Sequence, residues 1–189
     1  MALNLNSIQF LIHTLINVYC FVLVLRIWFQ FSRIDFYNPL SQTLAKLTNP
    51  LLLPLQKIIP SFKNINLAGI TLLFILGVIK YPLINLMGDK IIVTYWNTYL
   101  LVGILHFCRT IGETVLYVIF VGAIISWFNR GQSVLQFTLY HLTEPLLKPI
   151  RNILPNTGMI DFSPMILAFI LFYLNRVCYD LFPVLWSLA

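Results

Sequence analysis

The sequence predicts an all-α polytopic membrane protein, with four transmembrane helices arranged as two tandem repeats. Three observations support this fold class. The 189 residues are 59% hydrophobic and 10% charged, with a mean hydropathy of +0.86, whereas soluble domains carry about 25% charged residues. Four apolar segments are each long enough to cross a bilayer, which takes about 20 residues. A proline motif occurs twice, 95 positions apart.

The four predicted spans are residues 8–31, 67–87, 98–128 and 164–188. The third is long enough to tilt or to extend into the membrane interface. Residues 83–102 could instead form a fifth span, which leaves open whether the third segment is one long helix or two. We favour four spans because Gly88-Asp89-Lys90 is typical of a turn, and because an even number keeps both repeats in the same orientation.

The first span is expected to be retained, because the N-terminus lacks the basic region and small-residue cleavage site of a secretory signal. The cysteines are Cys20, Cys108 and Cys178, each in an apolar run and without a C-x-x-C pair. We interpret them as small buried hydrophobic residues rather than as a disulfide framework.

The duplicated motif consists of residues 48–60 and 143–155, which match at seven of thirteen positions. An internal repeat of this kind divides the chain into two similar units, here residues 1–90 and 91–189. The prolines that recur at the same spacing are Pro50, Pro54 and Pro60 in the first copy, and Pro145, Pro149 and Pro155 in the second.

A leucine stripe with helical spacing precedes each motif, and it predicts a short amphipathic helix that lies in the membrane interface. Thr143 is a suitable N-cap for the motif itself, and Pro149 is expected to kink or restart the helix. After Asp161, the pair Ser163-Pro164 is typical of a helix start. Each motif is thus either a rigid interfacial elbow or a broken helix that lines a site, as in transporters. The two leucine stripes that precede the motifs are Leu40, Leu44 and Leu47 in the first repeat, and Leu135, Leu139 and Leu142 in the second.

The basic residues predict the orientation in the membrane. The formal net charge is +6, and the basic residues occur singly rather than in the clusters that nucleic-acid binding requires. Most lie in the two connections, residues 32–66 and 129–163, so the positive-inside rule places both connections in the cytoplasm and both termini outside. We expect Lys57, Lys148 and Arg151 to contact anionic lipid headgroups or a protein partner.

Charged side chains inside predicted spans are costly in lipid and are therefore candidates for function. Five charged residues lie deep inside the predicted spans. At 1.5 Å rise per residue, most of them lie roughly 18–24 Å from the cytoplasmic ends of their helices. We predict that all five converge in one network; alternatively, two self-neutralising pairs only make insertion tolerable while the lysine reaches the interface. Arg26 is closer to a helix end and can extend to the headgroups. The five residues are Lys80, Arg109, Glu113, Arg176 and Asp180.

The motifs resemble those of the YggT family of small integral membrane proteins. The resemblance rests on the paired proline motifs, on the Ile160-Asp-Phe-Ser-Pro-Met165 turn, on Leu25-Arg-Ile-Trp28 and on Ser126-Trp127. The first copy departs from the pattern, with Gln30-Phe31 in place of Ser-Trp and no Asp-x-Ser-Pro after Pro60. The resemblance implies a bacterial inner-membrane protein linked to ion or osmotic homeostasis, or to cell division and assembly of membrane complexes.

Two functions are therefore expected from the sequence. The first is a facilitator or modulator of ion movement; the alternative is a non-catalytic scaffold or assembly factor. The chain shows no nucleophile–base pair, phosphate loop or dinucleotide motif, and His13, His106 and His141 do not form a metal-binding pattern. We expect no enzymatic activity and no cofactor, with the anionic bilayer, a second copy or another membrane protein as partners.

Overall fold

The computed structural model describes residues 6–60, 65–87, 96–128, 133–154 and 161–189. In these ranges the secondary structure is helical, which confirms the predicted all-α class, and four helices are long and apolar enough to cross a membrane. The helices are α1 (Ser7–Phe31), α2 (Pro39–Gln56), α3 (Leu67–Leu86), α4 (Trp96–Phe128), α5 (Val134–Ile153), α6 (Ser163–Leu181) and α7 (Pro183–Leu188). The four that could cross a membrane are α1, α3, α4 and α6.

Polar side chains at the helix starts explain where several helices begin. Asn6 forms a capping box with Gln9, in which the Asn6 side chain accepts from the Gln9 N–H at 2.8 Å. Asn38, Asn66 and Ser133 cap α2, α3 and α5 in the same way. These residue types accept hydrogen bonds from N–H groups that have no partner within the helix.

The third predicted span is a single helix, because α4 continues from Trp96 to Phe128. The turn predicted at Gly88-Asp89-Lys90 lies outside the described residues. The fourth span is shorter than predicted, since α6 ends at Leu181 and the separate helix α7 follows. Phe182 between them has φ −133° and ψ 61°, as expected of a residue before proline, where the helical conformation is disfavoured.

The first two prolines of each motif lie within one uninterrupted helix. Pro50 and Pro54 lie inside α2, and Pro145 and Pro149 lie inside α5, so the predicted helix start at Thr143 and restart at Pro149 are wrong. All four prolines are exposed, and the carbonyls that lose a donor therefore face outward, where water or headgroups can bind them. The Thr143 hydroxyl instead donates to the Leu139 carbonyl at 3.0 Å.

The closest helix crossing joins α3 to α4. A Cβ atom on Gly103 would lie 2.3 Å from Val78 Cγ2, and one on Gly77 would lie 3.1 Å from the Gly103 carbonyl oxygen. Small residues at such a crossing let two membrane helices approach closely and increase their van der Waals contact. This crossing brings the second half of α3 against the first half of α4, where the polar site lies.

Helices α2 and α5, which carry the proline motifs, lie at the same end of the bundle. Leu44 of α2 and Leu142 of α5 pack into one buried cluster with Phe29 and Val118. The Asn38 side chain also donates to the Thr138 hydroxyl at 2.7 Å. Both proline motifs are therefore on one side of the four spans, as the repeat predicts.

Candidate functional site

A polar cavity of about 310 Å³ opens between α1, α3 and α4. At 1.5 Å per residue, Lys80 lies about 20 Å along α3 from Leu67. In a hydrocarbon core of about 30 Å, the cavity is therefore in the half of the bilayer opposite the proline motifs. The polar residues around it include His13 and Asn17 from α1, Lys80 from α3, and His106, Arg109 and Glu113 from α4.

Lys80 is the most deeply buried charged residue in the part of the chain that the structure describes, with 1% of its surface exposed. Its ammonium group donates to the main-chain oxygen of Ala189 at 2.7 Å and lies 3.3 Å from His106 Nδ1. The sequence left open that the Lys80 side chain reaches the membrane interface. Its burial and its contacts exclude this alternative.

His106 shares the same oxygen. Its Nδ1 lies 2.6 Å from the Ala189 oxygen, and the residue is 3% exposed. A ring nitrogen cannot donate to Ala189 and accept from Lys80 at the same time. Both short contacts to the oxygen are satisfied when Nδ1 carries the proton, so that Lys80 and His106 both donate to Ala189. The position of this proton is assigned from the hydrogen-bond geometry.

The second charged group in the cavity is the pair Arg109–Glu113, one turn apart on α4. Arg109 Nε lies 2.8 Å from Glu113 Oε1, and the side chains are 35% and 46% exposed. Arg109 also donates to the Trp186 carbonyl at 3.0 Å. Hydroxyl groups of Thr110 and Thr114 complete this wall, and each donates to a main-chain carbonyl of α4.

Ala189, the residue after α7, lines the cavity, and the segment of α7 and Ala189 contacts three other helices. Lys80 of α3 binds the Ala189 oxygen, and Arg109 of α4 binds Trp186. The Trp186 indole donates to Asn175 of α6 at 2.9 Å. Two of these three contacts place a main-chain oxygen of this segment on a cationic side chain.

The predicted network of five charged residues is only partly assembled. Lys80, Arg109 and Glu113 line one cavity. Arg176 and Asp180 pair with each other at 3.1 Å on α6 and are 69% and 56% exposed, and none of the hydrogen bonds or ion pairs found between described residues joins them to the other three. The reason is rotation of the helix, since this pair lies on the exposed side of α6. Whether these residues act in function stays a prediction.

Sequence reasoning did not place His13, Asn17 or His106 in the site. A signal was present on α4, because His106, Thr110, Glu113 and Tyr117 recur at helical spacing and thus share a face. The contact between Lys80 and Ala189 had no local signal, since the two residues are 109 positions apart.

A second polar cluster lies where α5 meets α6. Arg151 bridges Glu144 and Asp161, with 2.8 Å from Arg151 Nη2 to Asp161 Oδ2. Asp161 also accepts the Ser163 N–H at 2.9 Å. Ser163 is the first residue of α6 rather than its N-cap, which is Phe162. The Asp161 carboxylate, one residue before the N-cap, accepts the first N–H of the helix. Arg151, expected to face lipid or a partner, is already bound to two carboxylates.

Hydrogen bonds and ion pairs in this cluster shift the pKa values of Asp161 and Arg151. Burial alone would raise the pKa of Asp161, but the hydrogen bonds from Ser163 and Arg151 outweigh burial and hold it below its ordinary value. Burial alone would lower the pKa of Arg151, but Asp161 and Glu144 raise it. Both residues are thus charged at neutral pH.

The first repeat contains a neutral counterpart of this cluster. Subtracting 95 from Arg151 and Asp161 gives Gln56 and Asn66. Asn66 Oδ1 accepts the Gly69 N–H at 2.9 Å and lies 3.5 Å from Gln56 Nε2, and its Nδ2 donates to Gln30 at 3.0 Å. Asn66 is thus the N-cap of α3 and accepts an N–H of its first turn, as Asp161 accepts an N–H at the start of α6, although the first repeat lacks Asp-x-Ser-Pro.

The remaining predicted residues of the motifs lie on the surface. Lys57 and Lys148 are exposed near the ends of α2 and α5, and Pro60 is exposed beyond α2. Pro164 is the second residue of α6. Pro155 lies outside the described part of the chain, as do the side chains of Ser126 and Trp127.

The chain was compared with known proteins. The CCB3/YggT family model matches residues 5–87 and 101–182. An uncharacterized protein of Haemophilus influenzae is 44% identical over 187 residues, covering 99% of each chain. The Escherichia coli K12 protein named YggT is 40% identical over 171 residues, covering 90% of this chain and 88% of that protein. A Vibrio alginolyticus protein is 37% identical over 182 residues, covering 96% and 98%.

No solved structure matches this chain. The family model matches twice in succession, once for each repeat, and three relatives align over most of their own length. The chain belongs to the CCB3/YggT family.

Proposed function

We propose that this protein supports ion or osmotic homeostasis by facilitating or modulating ion movement at the cavity beside Lys80. The observation that carries the proposal is a lysine with 1% exposure inside a polar cavity between membrane-spanning helices. Ionisable side chains at such positions cost free energy, and they typically mark ion or substrate pathways.

The chemistry of the cavity favours this reading over a purely structural one. A buried charge that served only packing would stabilise the fold less than an apolar side chain of similar volume. Here two cationic side chains, a carboxylate and two histidines surround one space. Such a set can replace part of the hydration shell of an ion as it leaves water.

The proposal includes a location and an orientation. We place the protein in the bacterial inner membrane, with the proline motifs in the cytoplasm and both termini outside. In support, both motifs lie at the same end of the bundle, and the exposed Lys57 and Lys148 lie at that end. Cytoplasmic ends of membrane proteins are enriched in lysine and arginine.

The proposed role is also non-enzymatic and requires no cofactor. Serine and cysteine are absent from the described residues that line the cavity. The hydroxyls of Thr110 and Thr114 donate to main-chain carbonyls of α4, which leaves them poorly placed to act as nucleophiles.

Ion flux across vesicles containing the purified protein tests the proposal. Wild-type protein should increase flux of K⁺, Na⁺, Cl⁻ or H⁺ over empty vesicles, measured with ion-specific dyes. Lys80→Met and Glu113→Gln should each reduce that flux about tenfold, the effect of losing about 1.4 kcal/mol of ion stabilisation. Arg176→Gln is the matched control and should not change it. Absence of flux with wild-type protein, or equal flux with Lys80→Met, would refute the role.

A scaffold or assembly role is the second candidate, and it rests on helix α6. The most apolar window of this span contains no residue buried in the structure, and it carries the exposed Arg176–Asp180 pair. A partner membrane protein or a second copy could cover this surface, while Lys57 and Lys148 bind anionic headgroups. Replacing Arg176 and Asp180 by glutamine and asparagine should then remove co-purifying partners without changing flux. Unchanged co-purification would count against the scaffold.

A further inference from the structure

We infer that Lys80 and His106 form a pocket for a carboxylate or similar small anion, which the segment after α7 occupies within the same chain. This inference rests on the proposed function and names the ligand class of its site. The pocket is filled by the Ala189 oxygen, and α7 would have to move aside for an external anion to bind.

The first part of the argument is the geometry around one oxygen. Lys80 Nζ and His106 Nδ1 approach the Ala189 oxygen at 2.7 Å and 2.6 Å. Two donors that converge on one oxygen, one of them an ammonium, form the arrangement by which proteins hold a carboxylate. Both donors are at least nine-tenths buried, with 1% and 3% exposure, so the pocket is built into the fold.

The second part is the balance of charge. Arg109 is paired with Glu113 at 2.8 Å. Lys80 has no aspartate or glutamate partner among the residues that the structure describes. A buried cation is costly in a region of low dielectric unless it is paired or hydrogen-bonded. Lys80 therefore favours an oxygen ligand at this position, whether that oxygen comes from Ala189 or from an external anion.

The third part is the way in which α7 is attached. It has six residues and is separated from α6 by the non-helical Phe182 and by Pro183. Lys80 and His106 hold the Ala189 oxygen, Arg109 holds the Trp186 carbonyl, and the Trp186 indole donates to Asn175. An external anion could therefore displace α7 by taking over contacts that any oxygen can make.

Competition of this kind lowers the apparent affinity of the pocket. The apparent dissociation constant equals the intrinsic constant divided by the fraction of molecules in which the pocket is open. Weakening the attachment of α7 should therefore tighten anion binding, even though α7 is not the binding pocket itself.

Fluorescence of Trp186 in the full chain, held in lipid nanodiscs, tests the inference. Trp28, Trp96 and Trp127 are replaced by phenylalanine, which leaves Trp186, now 6% exposed, as the reporter. Acetate should produce a saturable red shift, and the neutral isostere acetamide should produce none. Arg176→Gln should respond like the parent. Lys80→Met should start red-shifted and not respond to acetate.

Calorimetric titration of acetate provides a second measurement. Trp186→Ala keeps Lys80 and His106 but removes the anchor on Asn175, so acetate should bind about tenfold more tightly than to the wild type. The inference is overturned if acetate gives no shift, if acetamide gives the same shift, or if Trp186→Ala binds no more tightly. These equilibrium measurements use no ion gradient, so a negative result here is distinct from the absence of flux in vesicles.

Discussion

The crossing of α3 and α4 gives the sharpest prediction about stability. Gly103→Ala would add a Cβ atom 2.3 Å from Val78 Cγ2, and 3.2 Å and 3.3 Å from the Val78 nitrogen and Cα. Rotation of the Val78 side chain would relieve only the first contact. The two helices must therefore separate, and we expect a cost of about 1–3 kcal/mol, as for other overpacked sites.

Gly112→Ala on the same helix is the matched control, because no atom lies within 4 Å of the added Cβ. Alanine is favoured over glycine within a helix by up to about 1 kcal/mol, and both variants gain this term. Gly112→Ala should thus be neutral or stabilising. Gly103→Ala should be less stable than Gly112→Ala by about 1–3 kcal/mol.

Reversible unfolding in mixed detergent micelles, followed by helical circular dichroism, measures this difference. Because Gly77 lies against both the Gly103 carbonyl and the His106 side chain, Gly103→Ala should also disturb the contacts of Lys80 and alter the Trp186 emission. Equal stability of the two variants would refute the close crossing of α3 and α4 and, with it, the position of the cavity.

Three further predictions concern the ends of the helices. The lowered pKa of Asp161 means that its contribution to stability is present above its unfolded pKa of about 3.9 and is lost as pH falls through the lower folded value. Asp161→Asn should therefore melt below the wild type at pH 7, and the difference should vanish in acid. Asn66→Leu should cost about 1–3 kcal/mol, because it leaves the Gly69 N–H and Gln30 without their partner. Cysteines placed at 57 and 148 should both react with an impermeant maleimide only from the cytoplasmic side.

Each of these three predictions has a control or an outcome that would contradict it. Glu144→Gln keeps Asp161 and should still lose stability as the pH falls. A wild-type protein whose stability does not fall in acid would contradict the role assigned to Asp161. Gln56→Leu removes only a contact of 3.5 Å and should cost less than Asn66→Leu; an equal cost would contradict the central place of Asn66. Labelling of positions 57 and 148 from opposite sides would exclude the proposed orientation.

Much of the fold could be predicted from the sequence because its signals are local. Apolar length identifies α1, α3, α4 and α6, and the repeat predicts that both proline motifs lie on one side. Pro149 was expected to kink or restart the helix, and the restart is wrong, because α5 continues through Pro149. The proline is exposed, so water or headgroups can bind the carbonyl that loses its donor.

The candidate site was only partly predictable for a related reason. The depth of a charged residue follows from counting residues along its helix, and Lys80, Arg109 and Glu113 were identified in this way. Depth does not determine rotation about the helix axis, so Arg176 and Asp180 have the right depth but lie on an exposed face of α6.

The amino-acid sequence by itself determined that lipid is the solvent, that the chain crosses it in two similar units, and roughly how deep each charge lies. These properties depend on composition and on spacing along a single helix. Only the tertiary structure decided that α7 returns to place the Ala189 oxygen on Lys80, and that Asn66 replaces Asp161 in the first repeat. Contacts between residues far apart in sequence depend on how helices rotate and cross, which the packing of side chains such as Gly103 and Val78 decides.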